Sequence, residues 1–275
     1  MNDIPPPRSA LFLPASNPRA IEKARGLACD MVLLDLEDAV KAEAKEAARA
    51  AAVRAAASDY GGRPVAIRLN GAESPWHEAD VAAVRESRAA LAVLPKAEDA
   101  GQAARLAAAL GRPVLAMIET PAGVLAAPAI AAAAGVAGLI PGTNDLAAAL
   151  HLPPVGGRAG LAFALQAIVL AARAAGIMAL DGVWNRLDDA AGLDAECREG
   201  RAFGFDGKAL IHPAQIAVAN AVFGPDAAEI EEARALVAAA TGGAERFRGR
   251  MIEAMHVAAA RRLLAAATRV SGAGV

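Results

Sequence analysis

Eight short apolar runs recur along the chain, each four to seven residues long or slightly shorter: LFLP, MVLLDL, PVAIRLN, LAVLP, VLAMI, GLIPG, IMAL and ALI. They are near-continuous rather than alternating. Strands buried on both faces have this pattern, as in a parallel sheet covered by helices. Between the runs lie Ala-rich segments with helical periodicity, at 18–28, 43–58, 76–87, 97–110, 123–134, 161–175 and 188–203. Ser16-Asn17-Pro18 predicts a helix start with proline near its first position. Gly111, Gly135, Gly176 and Gly204 fall where a left-handed residue would stop a helix. The strand-to-strand spacing suits right-handed βα units. Eight such units predict a closed α/β fold, the TIM (β/α)8 barrel, over residues 1–223. A C-terminal helical extension is expected at 224–275, with helices at 226–240 and 250–268.

Most runs end in a residue able to do chemistry. MVLLDL leads into Glu37 and Asp38, PVAIRLN contains Arg68, and LAVLP precedes Lys96. VLAMI precedes Glu119, GLIPG precedes Asn144 and Asp145, IMAL precedes Asp181, and ALI precedes His212. A barrel gathers its strand ends at one mouth, so these side chains would share a site. An open doubly wound sheet would alternate similarly. Its dinucleotide form needs G-x-G-x-x-G after the first strand, which is absent, as is a G-x-x-x-x-G-K-[ST] phosphate loop. The sixth unit is longer, with a Pro- and Gly-rich loop at 151–160.

Composition narrows the field. At 275 residues the chain suits one barrel, and its hydrophobic fraction of 56% with 3% aromatics reflects alanine-rich helix packing. A net charge of −2 and scattered basic residues give no reason to expect nucleic acid or anionic lipid as partner. Residues 120–144 carry no charge and are long enough to span a bilayer. Three prolines and four glycines interrupt them, so helix, loop and strand are expected there instead. The N-terminus lacks a signal peptide's apolar segment, and Cys29 and Cys197 match no ligand spacing. A cytoplasmic protein with two free thiols is therefore expected. The tail 271–275 reads as disordered.

Glu119 and Asp145 suggest two hard oxygen ligands for Mg²⁺ with room for substrate oxygens. Helix capping by the same acids is the competing explanation. Glu37 and Asp38 would hydrogen-bond metal-bound water or cap a helix. Arg68, inside an apolar run, would hold a carboxylate bidentately or pair internally with Glu37 or Asp38. Lys96 could anchor charge or act as a Schiff-base nucleophile. His77, His151 and His256 have no metal-ligand spacing.

RSALFLP (8–14), LDLEDAV (34–40), RLN (68–70), LPKAE (94–98), MIET (117–120), GTNDLA (142–147), LDGVW (180–184) and GFDGKALIHPAQ (204–215) occur in this order. The set resembles the citrate lyase β-subunit-like branch of the HpcH/HpaI aldolase superfamily. That resemblance implies a TIM barrel, Mg²⁺ as cofactor, and chemistry on acyl-CoA or acyl-carrier thioesters of hydroxy acids. By position, Glu119 and Asp145 match the family's metal ligands. Arg68, with Glu119, matches its substrate contacts, and Glu37 and Asp38 match the acids around the metal's waters. Homotrimers or hexamers are implied, with a C-terminal segment closing over a neighbour's site. Many members place an acid/base aspartate in that segment; here the position is Glu253. With GTNDL and DGVW, this glutamate looks closest to a sub-branch that includes (3S)-malyl-CoA thioesterases. Cleavage of a malyl-CoA-, methylmalyl-CoA- or citramalyl-CoA-like thioester by a carbon–carbon lyase is the first expectation. Thioester hydrolysis is the second, a β-subunit working within a citrate lyase complex the third, and a catalytically silent binding barrel the last.

Overall fold

The computed structural model describes residues 4–153 and 157–272. Eight parallel strands close into a barrel in sequence order. They are β1 (Ser9–Pro14), β2 (Met31–Asp35), β3 (Val65–Arg68), β4 (Leu91–Leu94), β5 (Val114–Ile118), β6 (Val136–Pro141), β7 (Met178–Asp181) and β8 (Gly207–Leu210). β8 pairs with β1 through Ala209 and Ala10, completing the ring. All eight predicted strands are present, because each is buried on both faces and carries the apolar run that such burial demands.

Alternate residues point inward. Ala10 and Phe12, Met31 and Leu33, Ala66, Leu91 and Val93, Leu115 and Met117, Met178 and Leu180, and Ala209 form one core inside the barrel. Each large side chain among them stabilises the fold by about 1.5–3 kcal/mol through burial. In β6 the inward residues are Ala137 and Ile140, a step of three. The odd step follows from a register shift against β5, where Val114 faces Val136 but Leu115 faces Gly138.

The helices around the barrel are α1 (Pro18–Ala24), α2 (Lys45–Ala56), α3 (His77–Arg85), α4 (Ala100–Leu110), α5 (Pro121–Ala131), α6 (Thr143–Ala149), α7 (Ala162–Ala175) and α8 (Ala190–Phe203). Asn17 caps α1 through the Ala20 N–H, as its sequence suggested. Gly111, Gly135, Gly176 and Gly204 all take positive φ. Residues 120–144 form α5, β6 and the start of α6. Among the described residues no helix is long and apolar enough to cross a membrane. The centre of the 151–160 loop, at 154–156, lies outside the described residues. Cys29 and Cys197 are free and buried, and burial raises both thiol pKa values, that of Cys197 to about 11.

The chain divides into two compact units between Ala219 and Asn220. α9 (Ile216–Phe223), which the periodicity did not predict, runs across the boundary. The second unit contains α10 (Ala227–Ala239), a hairpin of β9 (Glu245–Phe247) and β10 (Arg250–Ile252), and α11 (Ala254–Gly272). The helix expected at 250–268 therefore begins at Ala254, after a strand. Arg248 and Gly249, both at positive φ, make the tight turn of the hairpin. Phe247 and Ile252 pack with Ala233, Leu236 and Ala260. α11 extends to Gly272, so Ser271 and Gly272 of the expected disordered tail are helical, and 273–275 lie outside the described residues.

Candidate active site

The inward positions continue past the apolar core into charge. Two residues beyond Leu33 stands Asp35, beyond Ala66 stands Arg68, and beyond Met117 stands Glu119. A strand's period of two thus carries an acid, a base and an acid to the C-terminal mouth. They line a cavity of about 380 Å³ together with Asp38, Asp145 and Asn185. Such a volume suits a small-molecule ligand.

Arg68 is buried against the ring of Phe12, 5.1 Å from its centroid. Its Nε donates to Asp35 Oδ1 at 2.7 Å and its Nη2 to Asp35 Oδ2 at 2.6 Å. The two-pronged face of the guanidinium is therefore spent on Asp35. Nη1 donates to Asp38 Oδ2 at 3.4 Å and lies 3.0 Å from Glu37 Oε2. The latter is an ion-pair distance without hydrogen-bond alignment, so Glu37 Oε2 is a buried oxygen with no donor. Burial opposes the Arg68 charge, but Asp35, Glu37 and Asp38 together hold its pKa above the usual value.

Glu37 is buried and Asp38 exposed. Neither caps a helix: α2 begins at Lys45, well beyond them. Burial raises the Glu37 pKa, opposed by Arg68. Lys45 Nζ holds the turn from behind, donating to the carbonyls of Leu36 and Glu37 at 2.7 Å each and to Asn70 Oδ1 at 2.6 Å.

Glu119 is 3% exposed and does not cap α5, which Thr120 caps instead. Its Oε1 accepts the Lys96 N–H at 2.7 Å. Lys96 takes φ 49, a left-handed conformation uncommon for a side-chain-bearing residue, and its Nζ donates to Glu37 Oε1 at 3.0 Å. Burial pushes the Glu119 pKa up to about 7, and the charges of Glu37 and Asp145 push the same way. Asp145 is exposed in the first turn of α6. Gly142, just before α6, lies against Glu119: a Cβ there would sit 2.3 Å from its Oε2.

The barrel thus brings together Glu37, Asp38, Arg68, Glu119 and Asp145. Glu253 belongs to the second unit, where it precedes α11 and its N–H donates to His256 Nδ1 at 2.9 Å. Asp181 is fully buried and paired with Arg158 and Lys208. His212 is exposed, and its Nδ1 accepts the Ala214 N–H at the start of a short 3-10 helix. Asp35 went unnoticed in the sequence, although it lies on the same strand face as Leu33. Among the described residues, no group of three or more His, Cys, Asp or Glu side chains has the arrangement of a metal cage.

A closed parallel barrel with charged groups converging on its C-terminal mouth has the layout of a (β/α)8-barrel enzyme. The chain belongs to the HpcH/HpaI aldolase/citrate lyase family, which it matches over residues 8–213. Residues 161–271 also match a family of carbon–carbon bond lyases of the TIM-barrel fold. The chain is 42% identical over 274 residues to a (3S)-malyl-CoA thioesterase of Cereibacter sphaeroides, covering 97% of this chain and 96% of that one. It is 38% identical over 273 residues to a citrate lyase subunit beta-like protein of Deinococcus radiodurans, covering 94% and 96%. Among solved structures, protein CitE from Mycobacterium tuberculosis, in complex with magnesium, acetoacetate and coenzyme A, superposes with a TM-score of 0.85 at 34% identity, over 98% of this chain and 100% of that one.

Proposed function

We propose that the protein hydrolyses a malyl-CoA-like thioester at a Mg²⁺ site formed by Glu119 and Asp145. The observation carrying the metal reading is the charge balance at the mouth. Asp35, Glu37, Asp38, Glu119 and Asp145 face the cations Arg68, Lys45 and Lys96, an excess of two negative charges in and behind the cavity. Burial first, and then the charges of Glu37 and Asp145, raise the Glu119 pKa, and a bound cation would offset both. Mg²⁺ is commonly held by one or two carboxylates, with water and substrate oxygens filling its other positions. Two protein carboxylates and a buried, donor-free Glu37 oxygen fit that requirement. The likeness to a thioesterase over nearly the whole chain supports hydrolysis as the reaction.

When bound, Mg²⁺ supplies a Lewis acid for the oxygens of the acid portion of the substrate. Glu119 and Asp145 hold it. Arg68 offers Nη1 to the substrate carboxylate, because its other two nitrogens are committed to Asp35. Asp38, at the longest contact and with a mostly exposed side chain, is the partner that yields. Asp38, which lines the cavity with a mostly exposed side chain, would accept a proton from the water that attacks the thioester carbonyl. The carbon–sulfur bond then breaks, and the proton passes to the departing thiolate. Carbon–carbon cleavage at the same site is a second reading, supported by the lyase-family match over 161–271. In that reaction Glu253 of a neighbouring copy would protonate the carbon released.

Products separate the two. With Mg²⁺ and malyl-CoA, malate plus CoA is expected; glyoxylate plus acetyl-CoA would establish the lyase instead. No turnover of malyl-, methylmalyl- or citramalyl-CoA would sink both. Glu119→Ala and Asp145→Ala should each abolish Mg²⁺-dependent turnover, and full activity in either would remove that residue from the metal site.

A further inference from the structure

We infer that Asp35 is the positioning residue of the site, fixing Arg68 and the Glu37 turn with one carboxylate. It stands at the end of β2, 1% exposed. The parallel register of β2 and β3 sets it directly beside Arg68. Both of its oxygens are used twice. Oδ1 accepts Arg68 Nε at 2.7 Å and the Glu37 N–H at 2.8 Å. Oδ2 accepts Arg68 Nη2 at 2.6 Å and the Ala39 N–H at 3.1 Å.

Four hydrogen bonds leave this carboxylate no lone pair directed at a metal or a proton, so it acts through its neighbours. The fork pins the plane of the guanidinium while the Phe12 ring supports its face. Nη1 is the corner left toward the cavity. The two amide contacts bend the chain just after β2, which buries Glu37 beside Nη1 while leaving Asp38 exposed. A neutral amide at position 35 would lose the charge and set one N–H against another donor. Arg68 would then turn toward Glu37 and Asp38, and the Glu37 turn would loosen.

The test is a double-mutant cycle with a spectroscopic arm. The inference rests on the thioester reading for its kinetic arm alone. Asp35→Asn should lower kcat/KM about 10²-fold, the scale of loss when a reacting group is displaced by about 1 Å. In an Arg68→Met background the same change should cost less than about threefold, because the residue through which Asp35 acts is already gone. Full additivity, or wild-type kinetics in Asp35→Asn, overturns the inference. Asp35→Glu keeps the charge but misplaces it. It should remain folded by circular dichroism and still lose at least about tenfold, whereas wild-type activity in that variant also overturns the inference. Independently of any substrate, the Arg68 Nε–H resonance, assigned by its absence in Arg68→Lys, should exchange with solvent at least about tenfold faster in Asp35→Asn or Asp35→Glu. Unchanged exchange overturns the inference even if no thioester proves to be a substrate. Conversely, faster exchange with no turnover in the wild type would sustain the positioning role and sink the proposed reaction.

Discussion

Glu119 is the side chain on which the titration of the site turns. Its carboxyl, pushed up to about 7 by burial and then by Glu37 and Asp145, is largely protonated in mildly acidic solution. A metal needs the ionised form, so Mg²⁺ binding should release a proton below neutrality. Calorimetric titrations at about pH 6, in buffers of different ionisation enthalpy, should show release approaching one proton per Mg²⁺ that fades by about pH 8. No release under acidic conditions would contradict this. Gly142 is tied to the same carboxylate. Its substitution by alanine would drive a methyl group against Glu119 Oε2, and Mg²⁺ affinity should fall about 10–100-fold with the far-ultraviolet spectrum unchanged. Glu119, Asp145 and Arg68 were visible in the sequence because each breaks or ends an apolar run. Asp35 was hidden by its neighbours: Glu37 and Asp38 drew notice as an acidic pair, while one acid inside a run carries no sign of its partner. Its value depends on Arg68, which the β-ladder, not the local sequence, puts beside it.

At the scale of elements, the far side of the barrel is joined by a buried ion network. Lys208 of β8, with no exposed surface, donates to Asp181 Oδ2 at 3.1 Å, the Gly182 carbonyl at 2.6 Å and Glu196 Oε1 of α8 at 2.8 Å. Arg158, before α7, donates to Asp181 Oδ1 at 2.7 Å and to Glu199 Oε2 at 2.5 Å. Asp181 therefore ties β7 to β8 and α8. Lys208→Met would leave buried carboxylates short of a cation and should cost about 3–5 kcal/mol, measured from the urea midpoint and slope. A loss below about 1 kcal/mol would show the network to be dispensable. The strands were legible because double-sided burial writes a continuous apolar run. The β9–β10 hairpin was not. Its turn, Arg248-Gly249, lacks the Asn or Asp that usually marks a two-residue turn, and three-residue strands are too short to show a period. Packing of Phe247 and Ile252 in the second unit's own core outweighs the local helical pattern.

For the molecule as a whole, the raised carboxyl pKa values set the pH dependence of folding. A folded pKa near 7, against an ordinary glutamate value of 4.5, means that the folded chain holds this proton more tightly than the unfolded one. The associated stability is fully present below the unfolded value and is lost as pH rises through about 7. Glu37, shifted in the same direction, adds to the loss. The metal-free Tm should therefore fall between about pH 5.5 and pH 7.5, and millimolar Mg²⁺ should raise it more at the higher pH. A Tm that climbs over this interval, or an equal Mg²⁺ effect at both values, would contradict the assignment. Eight runs were enough to foresee the barrel.

The pairing of Asp35 with Arg68 across β2 and β3 has a consequence for how the chain acquires activity. A slip of one residue between these strands would turn Asp35 away from the interior and leave the Arg68 fork without its two-pronged partner. A misregistered barrel would not be a weaker enzyme but an inert one. Regain of turnover during refolding should therefore serve as a proofreading signal: it reports the arrival of the correct ladder, not merely of a collapsed, helix-rich chain.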